Sequence, residues 1–165
     1  MLSQNVQDAI NKQINNELYS MYIYLAMSAY CEHQQFRGAA KWLRVQSQEE
    51  MSHALRLYDF MIARGHRVVL EAIKKPTCEF QSIPQVFEEA HSQEQEVTRQ
   101  IDELYELTNS EKAFAAKVEL EWFITEQVEE ERTTRDIVHK FDLIKDDPAA
   151  LLDMDRELAQ RATVE

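Results

Sequence analysis

Only two glycines, Gly38 and Gly65, and three prolines, Pro76, Pro84 and Pro148, interrupt this chain of 165 residues. A backbone with so few breakers, and plentiful Ala, Leu, Glu, Gln and Lys, favours long helices with little β structure. Reading between the breakers predicts helices over about 4–32 and 39–64. The segment from Gly65 to Ile83 holds Val68-Val69-Leu70, Pro76 and Thr77 and has no helical period. Ser82 predicts an N-cap with Gln85 reaching back, and Pro84 suits the first turn that follows. Asp147-Pro148 likewise predicts the cap and first residue of a short fifth helix, about 148–161.

Residues 85–147 contain neither Gly nor Pro, so one very long helix competes with two shorter ones. Heptad register favours two. The first apolar seam reads Phe87, Ala90, Glu94, Val97, Ile101, Leu104, and continued unbroken it reaches Trp122, Thr125, Glu129 and Arg132, a poor core. The seam that works is Ala116, Leu120, Phe123, Gln127, Glu130, Thr134, Ile137, Phe141. The phase slips at Thr108-Asn109-Ser110, which is turn and cap chemistry. Helices are therefore expected at about 83–107 and 110–142.

The 3,4 spacing of these seams is that of a left-handed helix bundle. The first helix presents Ile10, Ile14, Glu17, Met21, Tyr24 and Ser28; the second presents Leu43, Gln46, Glu50, His53, Leu57 and Phe60. Every seam is apolar toward its ends and polar near its middle. In an antiparallel hairpin, facing residues share a nearly constant index sum. Glu17 with His53 sums to 70, which pivots beside the turn expected at 35–38. Glu94 with Gln127 sums to 221, which pivots at the turn expected near 110. The segment 65–83 can extend to roughly 60 Å, enough to return along a helix of roughly 39 Å. It therefore predicts a long crossover that leaves the second and third helices parallel. The expected fold is all-α: one domain, residues 1–165, a four-helix bundle with a B–C crossover and a short C-terminal helix.

Four carboxylates, an imidazole and an amide then meet at the bundle midplane, and no Lys or Arg occupies the seams there. An isolated buried charge costs several kcal/mol even after relaxation. Two divalent cations would neutralise Glu17, Glu50, Glu94 and Glu130, with His53 as a neutral ligand. Carboxylate-rich sites suit iron or manganese, and zinc can compete. A dinuclear metal centre is expected. The charge balance agrees: 30 acidic against 18 basic residues give a net charge of −12 and a pI near 4.9. Such a surface repels phosphates, so no nucleic acid or membrane partner is expected. The longest apolar stretch, Met21 to Cys31, is too short to span a bilayer. Two cysteines without metal spacing, and no visible secretory signal, point to the cytoplasm.

The segments Gln13-Ile-Asn-Asn-Glu17-Leu-Tyr-Ser, Glu49-Glu50-Met-Ser-His53, Glu94, and Glu126-Gln127-Val-Glu129-Glu130-Glu131 resemble those of bacterial non-haem ferritins. The resemblance covers nearly the whole chain. Ferritin-like di-iron bundles generally carry two Glu and two Glu-x-x-His motifs. Here Gln127-x-x-Glu130 replaces the second, as in true ferritins rather than bacterioferritins. The resemblance implies Glu17, Glu50 and His53 as ligands of one iron, with Glu50 bridging. It implies Glu94 and Glu130 for the second, with Gln127 near it, and a third iron site at Glu49, Glu126, Glu129 and Glu130. Tyr24 matches a tyrosine able to bond a ligand and supply an electron.

The implied activity is that of a ferroxidase: Fe(II) is oxidised by dioxygen or peroxide and stored as ferric oxyhydroxide mineral. The implied assembly is a homo-oligomeric shell of 24 subunits. Haem is not expected: Met51 lies near a haem-binding methionine of bacterioferritins, but non-haem ferritins also have Glu-Met before this histidine. His33, His66, His91 and His139 are expected at the surface, and Trp122 at a contact between subunits. Two other functions fit less well. A rubrerythrin-like oxidase would usually add a Cys-x-x-Cys module, and a metal-free binding bundle would place isolated amides rather than clustered acids on its seams.

Overall fold

The computed structural model describes residues 1–163. Its elements, in order, are α1 (Gln4–His33), α2 (Arg37–Ala63), α3 (Ile83–Ser110), α4 (Phe114–Ile144) and α5 (Pro148–Leu158), with no strand among the described residues. Local chemistry starts three of them. The Ser3 and Ser82 hydroxyls accept from the amides of Val6 and Gln85, each at 3.2 Å, and Asp147 accepts from Ala149 and Ala150. The side chain of Gln85 in turn accepts from the amide of Gln81 at 2.6 Å, one residue before the cap.

Two turns depart from the sequence reading. Thr108, Asn109 and Ser110 lie inside α3, because the two hydroxyls bond back to the carbonyls of Tyr105 and Leu107 (2.8 Å each) and leave the helix unbroken. The reversal comes at 111–113, with Lys112 in the left-handed region at φ 55°. Between α1 and α2 the reversal uses Gln35, at φ 65°, while Gly38 lies buried inside α2. A β-carbon on Gly38 would stand 1.8 Å from the carbonyl oxygen of Asp155, so this glycine admits α5 rather than a turn.

The crossover, residues 64–82, lies along α1. Asn11 Oδ1 accepts from the Val69 amide at 3.0 Å and Asn15 Oδ1 from the Glu71 amide at 2.9 Å. Near the other end of α1 the Tyr30 hydroxyl donates to the Phe80 carbonyl at 2.9 Å, and their rings meet edge to face. From Asn11 to Tyr30 is roughly 28 Å of helix. The chain is thus carried back before α3 begins, and α2 and α3 run parallel.

Two apolar clusters fill the bundle. One joins Tyr24, Met27, Cys31, Leu43, Phe87 and Phe141 with Met154 and Leu158 of α5. The other, at the opposite end, joins Val6, Ile10, Ile14, Leu57, Met61, Ile101, Leu120 and Phe123. Both α3 and α4 seams read from the sequence are buried throughout, polar members included. On α1, Met21 is only half-buried, and on α2 the same is true of Phe60. Between the two apolar clusters lies a polar band.

Candidate metal centre

Glu17 comes from α1, Glu50 and His53 from α2, Glu94 from α3, and Gln127 and Glu130 from α4, and all six are buried. The hairpin sums hold in space. Glu17, Glu50 and His53 offer ligand atoms all within 4.8 Å of one another. Across the other hairpin, Gln127 Nε2 donates to the Glu94 carboxylate and to its backbone carbonyl, each at 3.2 Å. His53 Nδ1 lies 3.5 Å from Glu50 Oε2.

Two glutamines lock the first pair of carboxylates. Gln13 Nε2 donates to Glu17 Oε1 at 2.8 Å, and Gln46 Nε2 donates to Glu50 Oε1 at 3.0 Å. The same Gln46 amide reaches Glu130 Oε2 at 2.9 Å, tying α2 to α4. Each carboxylate keeps its second oxygen: Glu17 Oε2 and Glu50 Oε2 are buried without a hydrogen-bond partner. Stranding such an acceptor costs on the order of 1–3 kcal/mol, and more if it is charged. Both glutamines stand four residues before their glutamates, a spacing that is visible in the sequence.

The electrostatics agree. Burial, then the neighbouring acids, pushes Glu17, Glu50, Glu94 and Glu130 each up to about 8. For Glu17 and Glu94 the chief neighbour is Glu50; for Glu50 it is Glu130, and for Glu130 it is Glu94. Glu50 therefore sits electrically between the two halves. Among the described residues none of the four forms an ion pair with lysine or arginine. Tyr24 is fully buried and donates its hydroxyl to Glu94 Oε1, with the Ala90 carbonyl 3.2 Å away. Burial first, then Glu94, holds its phenol well above the ordinary tyrosine range.

The remaining acids are less uniform. His53, Glu126 and Glu130 form a second group with ligand atoms within 4.8 Å. Glu49 and Glu129 stand outside both groups. Glu49 is half-buried and held by Arg161, while Glu129 is exposed and 3.9 Å from Arg132. His33 and His139 are exposed; His66 and His91 are half-buried, the latter with Nδ1 3.0 Å from the Thr134 hydroxyl. Trp122 packs inside the chain, edge-on to His53 at 5.4 Å and capped by Arg56 at 4.2 Å. It steadies the imidazole from behind, a role its position off the seam did not reveal.

The profile of the ferritin-like domain matches residues 7–144. The chain belongs to the ferritin family. It is 37% identical to a probable bacterial non-heme ferritin-like protein of Haemophilus influenzae over 163 residues, 99% of each chain. It is 37% identical to a bacterial non-heme ferritin of Staphylococcus saprophyticus over 162 residues, 98% of this chain and 97% of that one. The open-pore ferritin of the hyperthermophilic archaeon Archaeoglobus fulgidus superposes with a TM-score of 0.97 at 43% identity, covering 98% of this chain and all of that one. A humanized archaeal ferritin superposes at 0.98, with 43% identity and full coverage of both chains.

The fold of this ferritin is thus all-α, with a short C-terminal helix, and its family places it in iron storage and handling. The donor set also fits iron. Carboxylate oxygens with a single imidazole suit a divalent ion of intermediate hardness, and two buried oxygens without hydrogen-bond partners fit a cation.

Proposed function

We propose that this ferritin oxidises Fe(II) at the midplane centre and stores the product as ferric oxyhydroxide inside a closed shell of 24 copies. The observation that carries the reading is the pair of buried oxygens, Glu17 Oε2 and Glu50 Oε2, which have no hydrogen-bond partner beside the His53 imidazole in a cluster that, among the described residues, no lysine or arginine pairs with. Glu17, Glu50 and His53 hold one Fe(II). Glu94 and Glu130 hold the other, with Gln127 beside them, and Glu50 spans the two. Gln13 keeps Glu17 Oε1 turned aside, so that Oε2 would meet the ion, and Gln46 steadies the Glu50 carboxylate between the two halves.

With dioxygen as oxidant, two Fe(II) lose one electron each, and dioxygen takes both with two protons and departs as hydrogen peroxide. With peroxide as oxidant, the two electrons and two protons break the O–O bond to give two waters. Tyr24, bonded to Glu94, is placed to lend an electron. A third cation position is assigned to Glu49, Glu126, Glu129 and Glu130, of which Glu126 and Glu130 stand together with His53. The exposed apolar residues Tyr22, Leu25, Met51 and Leu55 on α1 and α2, with Leu70 and Ile73 on the crossover, support assembly with further copies. Free thiols at Cys31 and Cys78 suit the cytoplasm, and no helix among the described residues is long and apolar enough to cross a membrane.

Native mass before and after aerobic Fe(II) addition, read beside stopped-flow oxidation, tests this. The mass should correspond to 24 chains and grow with iron, with about two Fe(II) per chain oxidised in the fast phase. Glu50→Ala with His53→Ala should abolish that phase and leave the mass of the shell unchanged. A small particle of fixed mass, or a fast phase that survives the double substitution, would overturn the proposal.

A further inference from the structure

Arg161 follows α5 and reaches back to the acids beside the centre. Four contacts deliver it there. Met154 and Leu158 are buried in the apolar cluster, Asp155 Oδ1 accepts from the Ala39 amide at 2.8 Å, and Lys41 Nζ donates to the Ala159 carbonyl at 2.8 Å. Gly38 supplies the fourth by letting the α5 backbone approach α2. The guanidinium then stacks 4.1 Å over the buried Trp42 ring and donates to the Trp42 carbonyl at 3.3 Å. One of its nitrogens donates both to Glu49 Oε2 and, at 2.8 Å, to Gln46 Oε1. Only 17% of its side chain is exposed, against 30% for Glu49. The group borders an open cleft of about 640 Å³ that also includes Glu129 and Arg132.

Two consequences meet in this side chain. It neutralises Glu49, the acid that a third cation would use. It also fixes the Gln46 amide: with Oε1 taken by Arg161, Nε2 must face Glu50 and Glu130, as it does. We propose that Arg161 is a built-in competitor for the third cation, leaving Glu49 only when that ion binds, so that the third position fills last. The proposal rests on the third position read above. A planar guanidinium held by stacking and several acceptors gives up such a site less readily than a flexible ammonium. Because Gln46 bridges Glu50 and Glu130, eviction of Arg161 also loosens the tie between the two halves of the centre.

Zn(II), a redox-inert probe, titrated calorimetrically into the metal-free particle tests this. Wild type should bind two ions per chain and then a third about tenfold more weakly. Arg161→Gln should tighten the third about tenfold relative to the first two; Arg161→Lys should fall between. A third ion present in both wild type and Arg161→Gln at equal affinity would overturn the role of Arg161 and leave the third position standing. No third ion in either protein, and no effect of Glu126→Gln with Glu129→Gln, would remove the position and the proposal together. If Arg161→Gln does not assemble, hydrogen exchange in the wild type decides. Amides 159–162 should exchange about tenfold faster once the third ion enters, but not in Glu49→Gln; unchanged exchange in wild type would overturn the proposal.

Discussion

The ends of this bundle and its middle are built from the same helices with the same heptad spacing, yet they satisfy opposite requirements. At the ends, Phe87, Phe141, Leu43 and Met27, or Ile10, Leu57, Ile101 and Leu120, complete one another by contact alone. The middle is equally buried and is left incomplete: two carboxylate oxygens lack partners, and four acids are held near 8 by burial and by each other. The ends supply the stability that the middle gives up. Function is concentrated where packing alone does not suffice.

That division can be broken from either side. Phe87→Ala removes a fully buried ring in contact with Trp42 and Phe141, and should cost about 3–5 kcal/mol in urea unfolding while the metal stoichiometry stays the same. Glu17→Gln with Glu50→Gln should do the reverse. The metal-free protein should be no less stable, but the stabilisation by added Zn(II), about 2.7 kcal/mol at a hundredfold excess over Kd, should be lost. Differential scanning calorimetry with and without metal reads both.

The pH dependence sharpens the same contrast. A carboxyl near 8 in the folded chain and near 4.5 unfolded holds its proton longer when folded. Its contribution is complete below about 4.5 and is lost as pH rises through about 8. The Tm of the metal-free particle should therefore fall between pH 5 and 8. Bound metal should reverse the slope, because ion and proton compete for the same oxygens, and the paired Glu→Gln substitution should flatten it. The smallest effect belongs to a turn: Lys112→Gly relieves a left-handed residue and should add about 1 kcal/mol without moving either the slope or the stoichiometry.

Much of this was legible because heptad seams report burial directly. Every seam residue read for α3 and α4 is buried, and the sums of facing positions in the sequence alone pair Glu17 with His53 and Glu94 with Gln127, as the fold does. The turns were less legible. Thr108 and Ser110 have turn chemistry but spend it on their own helix, and Gly38 looks like a breaker while serving a helix more than a hundred residues away. Trp122 and Arg161 carry no periodic signal of their own. Their roles exist only once tertiary contacts bring them to His53 and Glu49.

The constant sum across each hairpin limits how such a rod can change size. One residue inserted between Ile10 and Glu17 would rotate every later position of α1 by about 100° and send Ile10 and Glu17 to different faces. A whole heptad added to α1 and matched in α2 would leave ligand heights intact, provided that α3, α4 and the crossover grew with them. Length in this architecture changes in steps of seven, on all four long helices of the rod together.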